Sequence, residues 1–193
     1  MEMIGAQAFE NCTALKNIEF ASGSKKLILR NGVFAKCTAL ERVKLPGRIN
    51  SDEDGTNYFY GCKSLKDISV EDNASYISAE GILYLKTPEG LMLVTYPGGK
   101  AGKEISLPAK IGEDSIVTLG AYSMRNLTAV NKIVLPDTCG CYDIQFALSR
   151  LPVQGFYLIA LLLEVFQRDL FALASAVVMI GHCYCRDFFF RSG

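Results

Sequence analysis

The apolar positions of this chain return at a fixed interval. Phe9, Cys12, Leu15, Ile18 and Phe20 recur as Phe34, Cys37, Leu40, Val43 and Leu45, and again as Phe59, Cys62, Leu65, Ile68 and Val70, with the same step at every slot. A fourth copy, Met124, Leu127, Val130, Ile133 and Leu135, follows after a longer gap with all five slots in register. The shared pattern, FxxCxxLxxIxL, joins two periodicities. Phe, Cys and Leu at steps of three predict one or two helical turns with a single apolar face, and the closing IxL alternates as a half-buried strand does. Each unit is therefore expected to be a short helical turn followed by a strand, at 16–20, 41–45, 66–70 and 131–135. No such unit buries its apolar face alone, so the units must stack. The expected fold over residues 1–136 is an α/β solenoid whose parallel strands lie about 4.7–4.9 Å apart.

Two stretches depart from the pattern. Within 71–118, the β-prone runs 81–86 and 91–96 are joined by Thr87, Pro88, Glu89 and Gly90 and predict a hairpin that projects from the stack. After Pro136 the repeat stops and the composition changes: all twelve lysines precede it, and seven of eleven phenylalanines follow it. The hydrophobic tail, 137–193, has apolar runs at 156–166 and 170–180, separated by Gln167, Arg168 and Asp169 and interrupted by Glu164. Three readings stand for it: helices packed over the open end of the stack, a membrane contact or span, or non-native residues from a frameshift. A span is disfavoured, because neither run reaches roughly 20 residues and a joined helix carries strongly polar groups.

Charge removes one class of partner. Lys+Arg and Asp+Glu both number 20, so the chain lacks the positive field that nucleic acid requires. The start, MEMIGAQAFENC, has no basic, apolar and small-residue succession of a secretory signal. Because it opens in mid-repeat at Met3-Ile4, the chain is expected to be a fragment of a larger protein.

The reactive residue types yield little chemistry. Cys12, Cys37 and Cys62 share one slot, which Leu127 fills in the fourth copy, so the slot is expected to hold buried free thiols. Cys139, Cys141, His182, Cys183 and Cys185 are nominal soft-metal ligands in the tail, but CxC spacing chelates poorly. His182, the only histidine, has no nucleophile assigned to it, and a hydrolytic triad is not expected. Asp52, Glu53, Asp54 and Gly55 lack the remaining ligands of a calcium loop, and Gly98, Gly99 and Gly102 lack the order of a phosphate loop. No catalytic residue, cofactor or metal is assigned, and the chain is not expected to be an enzyme.

The surface of the stack remains. Between the buried strand positions, Asn17 and Glu19, Arg42 and Lys44, Asp67 and Ser69, and Lys132 point outward and are expected to align across coils. Their mixed charge suits a protein or glycan ligand.

The stretches IGAQAFENCTALKNIEF, GVFAKCTALERVKLP, YFYGCKSLKDISV and LGAYSMRNLTAVNKIVLP resemble the BspA-like (Treponema-type) leucine-rich repeats of surface proteins. The resemblance covers about residues 4–136. It implies a leucine-rich-repeat solenoid at the cell surface or secreted, acting in adhesion or protein binding. The alternatives are a structural spacer without a ligand, and a metal-binding or redox protein acting through the tail cysteines.

Overall fold

The computed structural model describes residues 1–139 apart from Ser22, residues 51–57, Ala121 and Asn131. The strands are β1 (Glu2–Ile4), β2 (Asn17–Glu19), β3 (Leu27–Leu29), β4 (Arg42–Leu45), β5 (Ile49–Asn50), β6 (Asp67–Val70) and β7 (Tyr76–Ala79). They continue as β8 (Ile82–Thr87), β9 (Gly90–Thr95), β10 (Glu104–Ser106), β11 (Lys110–Ile111), β12 (Asp114–Leu119) and β13 (Lys132–Val134).

The first three coils build two parallel ladders. In β2–β4–β6 the Cα partners are Ile18, Val43 and Ile68, the register expected of the closing IxL. The second ladder, β1–β3–β5, was not expected. Its first pair keeps the step of the repeat, with Glu2 opposite Leu27, but Leu27 then faces Ile49, a shorter step. Its strands are very short and drift from the repeat, so periodicity alone does not reveal them.

The expected helical turns do not form. Among the described residues there is no helix. In coil 1, Ala8, Glu10 and Cys12 donate to carbonyls three positions back, whereas Gln7, Phe9 and Asn11 donate to Asn31, Val33 and Ala35 of the next coil. Coil 2 repeats the alternation: Val33, Ala35 and Cys37 bond locally, and Phe34 and Lys36 bond to Tyr58 and Tyr60. An α-helix needs every amide turned back along its own segment; here every second amide leaves the coil. The reversal places Gln7 (φ 58), Asn11 (φ 62), Gly32 (φ 65), Lys36 (φ 59) and Gly61 (φ 80) in the left-handed region, which no helix contains. Consecutive tight turns still put Phe, Cys and Leu on one face, so the spacing mimics a helix without being one.

That face is the core. Leu40, Leu65, Cys37 and Cys62 are fully buried, and the phenylalanine rings stack through the coils, Phe9 on Phe34 at 5.5 Å and Phe34 on Phe59 at 5.7 Å between centroids. Offset stacking of this kind adds to the area each ring buries.

The hairpin at 82–95 does not project. β8 lies within a five-stranded sheet ordered β11–β12–β9–β8–β7, and Leu83, Tyr84, Leu91, Leu93 and Val94 are buried. The runs are apolar on both faces because both faces are covered. Glu80 (φ 50) and Gly81 (φ 77) make a mirror-image turn between β7 and β8, whose twist matches that of the strands. β9 then pairs in parallel with β12, and β10 with β13, so the solenoid resumes as coils 4 and 5. The tail readings, the Asp52–Asp54 loop, and Cys141, His182, Cys183 and Cys185 lie outside the described residues.

Candidate ligand-binding face

The β2–β4–β6 ladder brings six of the seven expected residues together. Asn17, Arg42 and Asp67 are successive Cα partners, as are Glu19, Lys44 and Ser69. The alternation of each strand sends Ile18, Val43 and Ile68 inward, so both rows stand on the outer face. Lys132 is not among them. It pairs with Glu104 on β10, its Nζ 3.1 Å from the carboxylate, in a separate two-stranded sheet. The reason is coil 4, which supplies β10 and gives β13 a new neighbour.

Within the patch the charges are unevenly committed. Lys44 lies between two carboxylates, 3.3 Å from Glu19 and 3.4 Å from Glu71, and hydrogen bonding to Glu19 and then Glu71 raises its pKa. Lys66 bonds Glu41 at 3.3 Å along the edge of the same face. These exposed pairs orient side chains more than they stabilise the fold. Glu71, Glu41 and Lys66 were missed in the sequence, although Glu19 and Lys44, and likewise Glu41 and Lys66, are separated by one period of the repeat, which carries the signal. Ser69 donates to the Val43 carbonyl at 3.5 Å. Asp67 is half-buried, and Gly81 passes so near that a Cβ there would sit 2.6 Å from its Oδ1. Arg42 is different: it is exposed and, among the described residues, its guanidinium has no hydrogen-bonding or charged partner.

The cysteine slot has a specific role in the stack. The Cys37 thiol donates to the Phe9 carbonyl and the Cys62 thiol to the Phe34 carbonyl, each at 3.1 Å. Burial pushes the Cys62 thiol up to about 12 and raises Cys37 likewise, so both stay protonated at neutral pH. Neither is a nucleophile or a thiolate ligand. Cys12, Cys37, Cys62 and Cys139 are free thiols.

In coil 5 the slot holds Leu127, and the neighbouring Asn126 takes over its bond. Asn126 Nδ2 donates to the Phe59 carbonyl at 2.8 Å, and its Oδ1 accepts from Gly61 N at 2.8 Å. Phe59 O is the counterpart of Phe9 O and Phe34 O, and Gly61 N that of the Asn11 and Lys36 amides. Coil 4 has only the short turn at 97–100 in place of the long turn segment, so the coil 5 turn rests directly on coil 3.

With the β2–β4–β6 strands, the turns and the thiol bonds of coils 1 to 3 repeating at one period, and the parallel pairs β9–β12 and β10–β13 beyond them, the architecture is that of a β-solenoid of about five coils. The family described as "BspA type Leucine rich repeat region (6 copies)" matches residues 1–85. Residues 1–85 are a BspA-type leucine-rich repeat region. The chain is similar to the crystal structure of the pneumococcal vaccine antigen PcpA, with a TM-score of 0.61 and 28% identity over 76% of this chain and 35% of that one. It therefore spans about a third of that protein's length. A leucine-rich repeat protein from Eubacterium ventriosum (TM-score 0.41, 17% identity, 72% of this chain and 46% of that one) also matches. So does a leucine rich cell surface protein from Faecalibacterium prausnitzii (0.43, 18%, 72% and 46%). No curated protein matches significantly.

Proposed function

We propose that this BspA-type solenoid is a non-enzymatic binding or adhesion module of a cell-surface protein, and that its ligand, a protein or glycan, docks on the outer face of β2–β4–β6. One observation carries the reading. Arg42 is central in a rigid three-strand patch and keeps its guanidinium free, while the neighbouring lysines are each held by carboxylates. A fixed backbone lowers the ordering cost of association, and arginine is among the residues that dominate binding energy at interfaces. Lys44, already neutralised by Glu19 and Glu71, is a lesser anchor.

The test is a screen of the full chain against extracellular-matrix proteins and glycans, repeated with Arg42→Glu and with Lys44→Glu. Binding should fall at least about tenfold for Arg42→Glu and less for Lys44→Glu, as expected for loss of a charge-assisted contact. Undiminished binding by Arg42→Glu defeats the placement. Absence of any ligand favours a structural spacer instead.

A further inference from the structure

A second cation is uncommitted, away from the strands. On the turn segments, the Arg125 guanidinium carbon lies 3.7 Å from the centroid of the Tyr60 ring and 5.2 Å from that of Tyr122. Tyr60 and Arg125 occupy the same repeat position in coils 3 and 5, so the contact joins the two coils. The equivalent region of coils 1 and 2 is electrically closed, with Lys36 Nζ 2.7 Å from Glu10. The Arg125 guanidinium has no carboxylate or other acceptor among the described residues. Its contact with the rings engages the charge but leaves the in-plane N–H donors without acceptors.

Tyr122 adds an independent observation. Its φ is 61, in the left-handed region, at the position where coils 1 and 2 have Gln7 (φ 58) and Gly32 (φ 65). The turn imposes that conformation in each of these coils, and a bulky aromatic is a poor residue for it, so an aromatic there points to a role for its side chain. The ring is 37% exposed, so the strain does not serve to bury it.

We propose that Tyr60, Arg125 and Tyr122 form a second binding site, for a sugar bearing a carboxylate. The carboxylate would take the guanidinium fork in a bidentate pair, and the apolar C–H face of the sugar ring would stack on exposed tyrosine. A sialic acid and a uronic acid share this chemistry. An acidic peptide offers the carboxylate without the ring, and two aromatic faces beside one cation favour the sugar.

The full chain is titrated by ligand-observed NMR with 3′-sialyllactose, a hyaluronan tetrasaccharide, lactose and a hexaglutamate peptide. Saturable binding is expected for one or both carboxylated sugars, the responder naming the source, with lactose at least about tenfold weaker. Arg125→Gln should weaken the carboxylated sugar by about tenfold or more, while the exposed Lys110→Gln leaves it unchanged. Tyr122→Gly suits the left-handed backbone, so it should keep the thermal midpoint yet weaken the sugar. The site is overturned if neither carboxylated sugar binds, if lactose binds as well, if hexaglutamate binds more tightly, or if Arg125→Gln has no effect. It is equally overturned if Tyr122→Gly lowers the midpoint while sugar binding persists, since the ring is then a structural prop.

Discussion

Coils 1 to 3 and the junction from coil 3 to coil 5 solve one problem by different means. In the regular coils, alternate amides of each turn reach carbonyls of the next coil, and each buried cysteine thiol satisfies a phenylalanine carbonyl. Any coil fits any neighbour, because the partners recur with the repeat. At the junction the short coil 4 breaks that correspondence, and Asn126 replaces both a thiol donor and a carbonyl acceptor with one side-chain amide. Asn73 does similar work where coil 3 leads into the hairpin. It donates to the Gly47 and Ile49 carbonyls at 2.7 and 2.8 Å and accepts from Ser75 N and Tyr76 N. Where repetition supplies partners the backbone closes its own bonds; where it fails, an asparagine side chain is required.

The sharpest test of the regular half is its core. Leu40, fully buried with a coil on each side, should lose about 2–5 kcal/mol on substitution by alanine, read by denaturant unfolding. A loss below about 1 kcal/mol would mean that the stack tolerates a hole and that the register matters little. At the junction, Asn126→Ala leaves the Gly61 amide without its acceptor and should cost about 1–3 kcal/mol. If Asn126→Ala is neutral, the junction is closed by other contacts and the contrast between the halves is lost.

A third experiment uses the thiol titration. The folded pKa of Cys62, about 12, lies above the ordinary 9.0, so the folded state holds the proton more tightly than the unfolded one. Its contribution is complete below about pH 9 and declines as pH rises toward the folded value, by at most about 1.4 kcal/mol per unit. The difference in urea midpoint between the parent and Cys62→Val should therefore be constant from about pH 7 to 8.5 and shrink by about pH 10.5. A constant difference throughout would place the thiol in water. The smallest effect is expected of Cys37→Val, under about 1.5 kcal/mol, because a nearly isosteric group fills the slot and only a weak S–H donor is lost. A larger loss would show that the thiol bond is as necessary to the regular coils as Asn126 is to the junction.

What the sequence determined by itself was everything that repeats. The core slots, the β2–β4–β6 register and the alignment of Asn17, Arg42 and Asp67 with Glu19, Lys44 and Ser69 follow from one constant period, since stacking turns equal spacing into spatial adjacency. Three things depended on tertiary structure. Spacing by threes suits a helix and a run of turns equally, and only the neighbouring coil, by accepting alternate amides, selects the turns. The hairpin at 82–95 reads as a protrusion until both its faces are covered. Lys132 shares the repeat pattern but not the patch, because the insertion of coil 4 changes which strand lies beside it. Hydrogen-bond partners supplied from another coil carry no local mark in the chain, so only the assembled stack shows them.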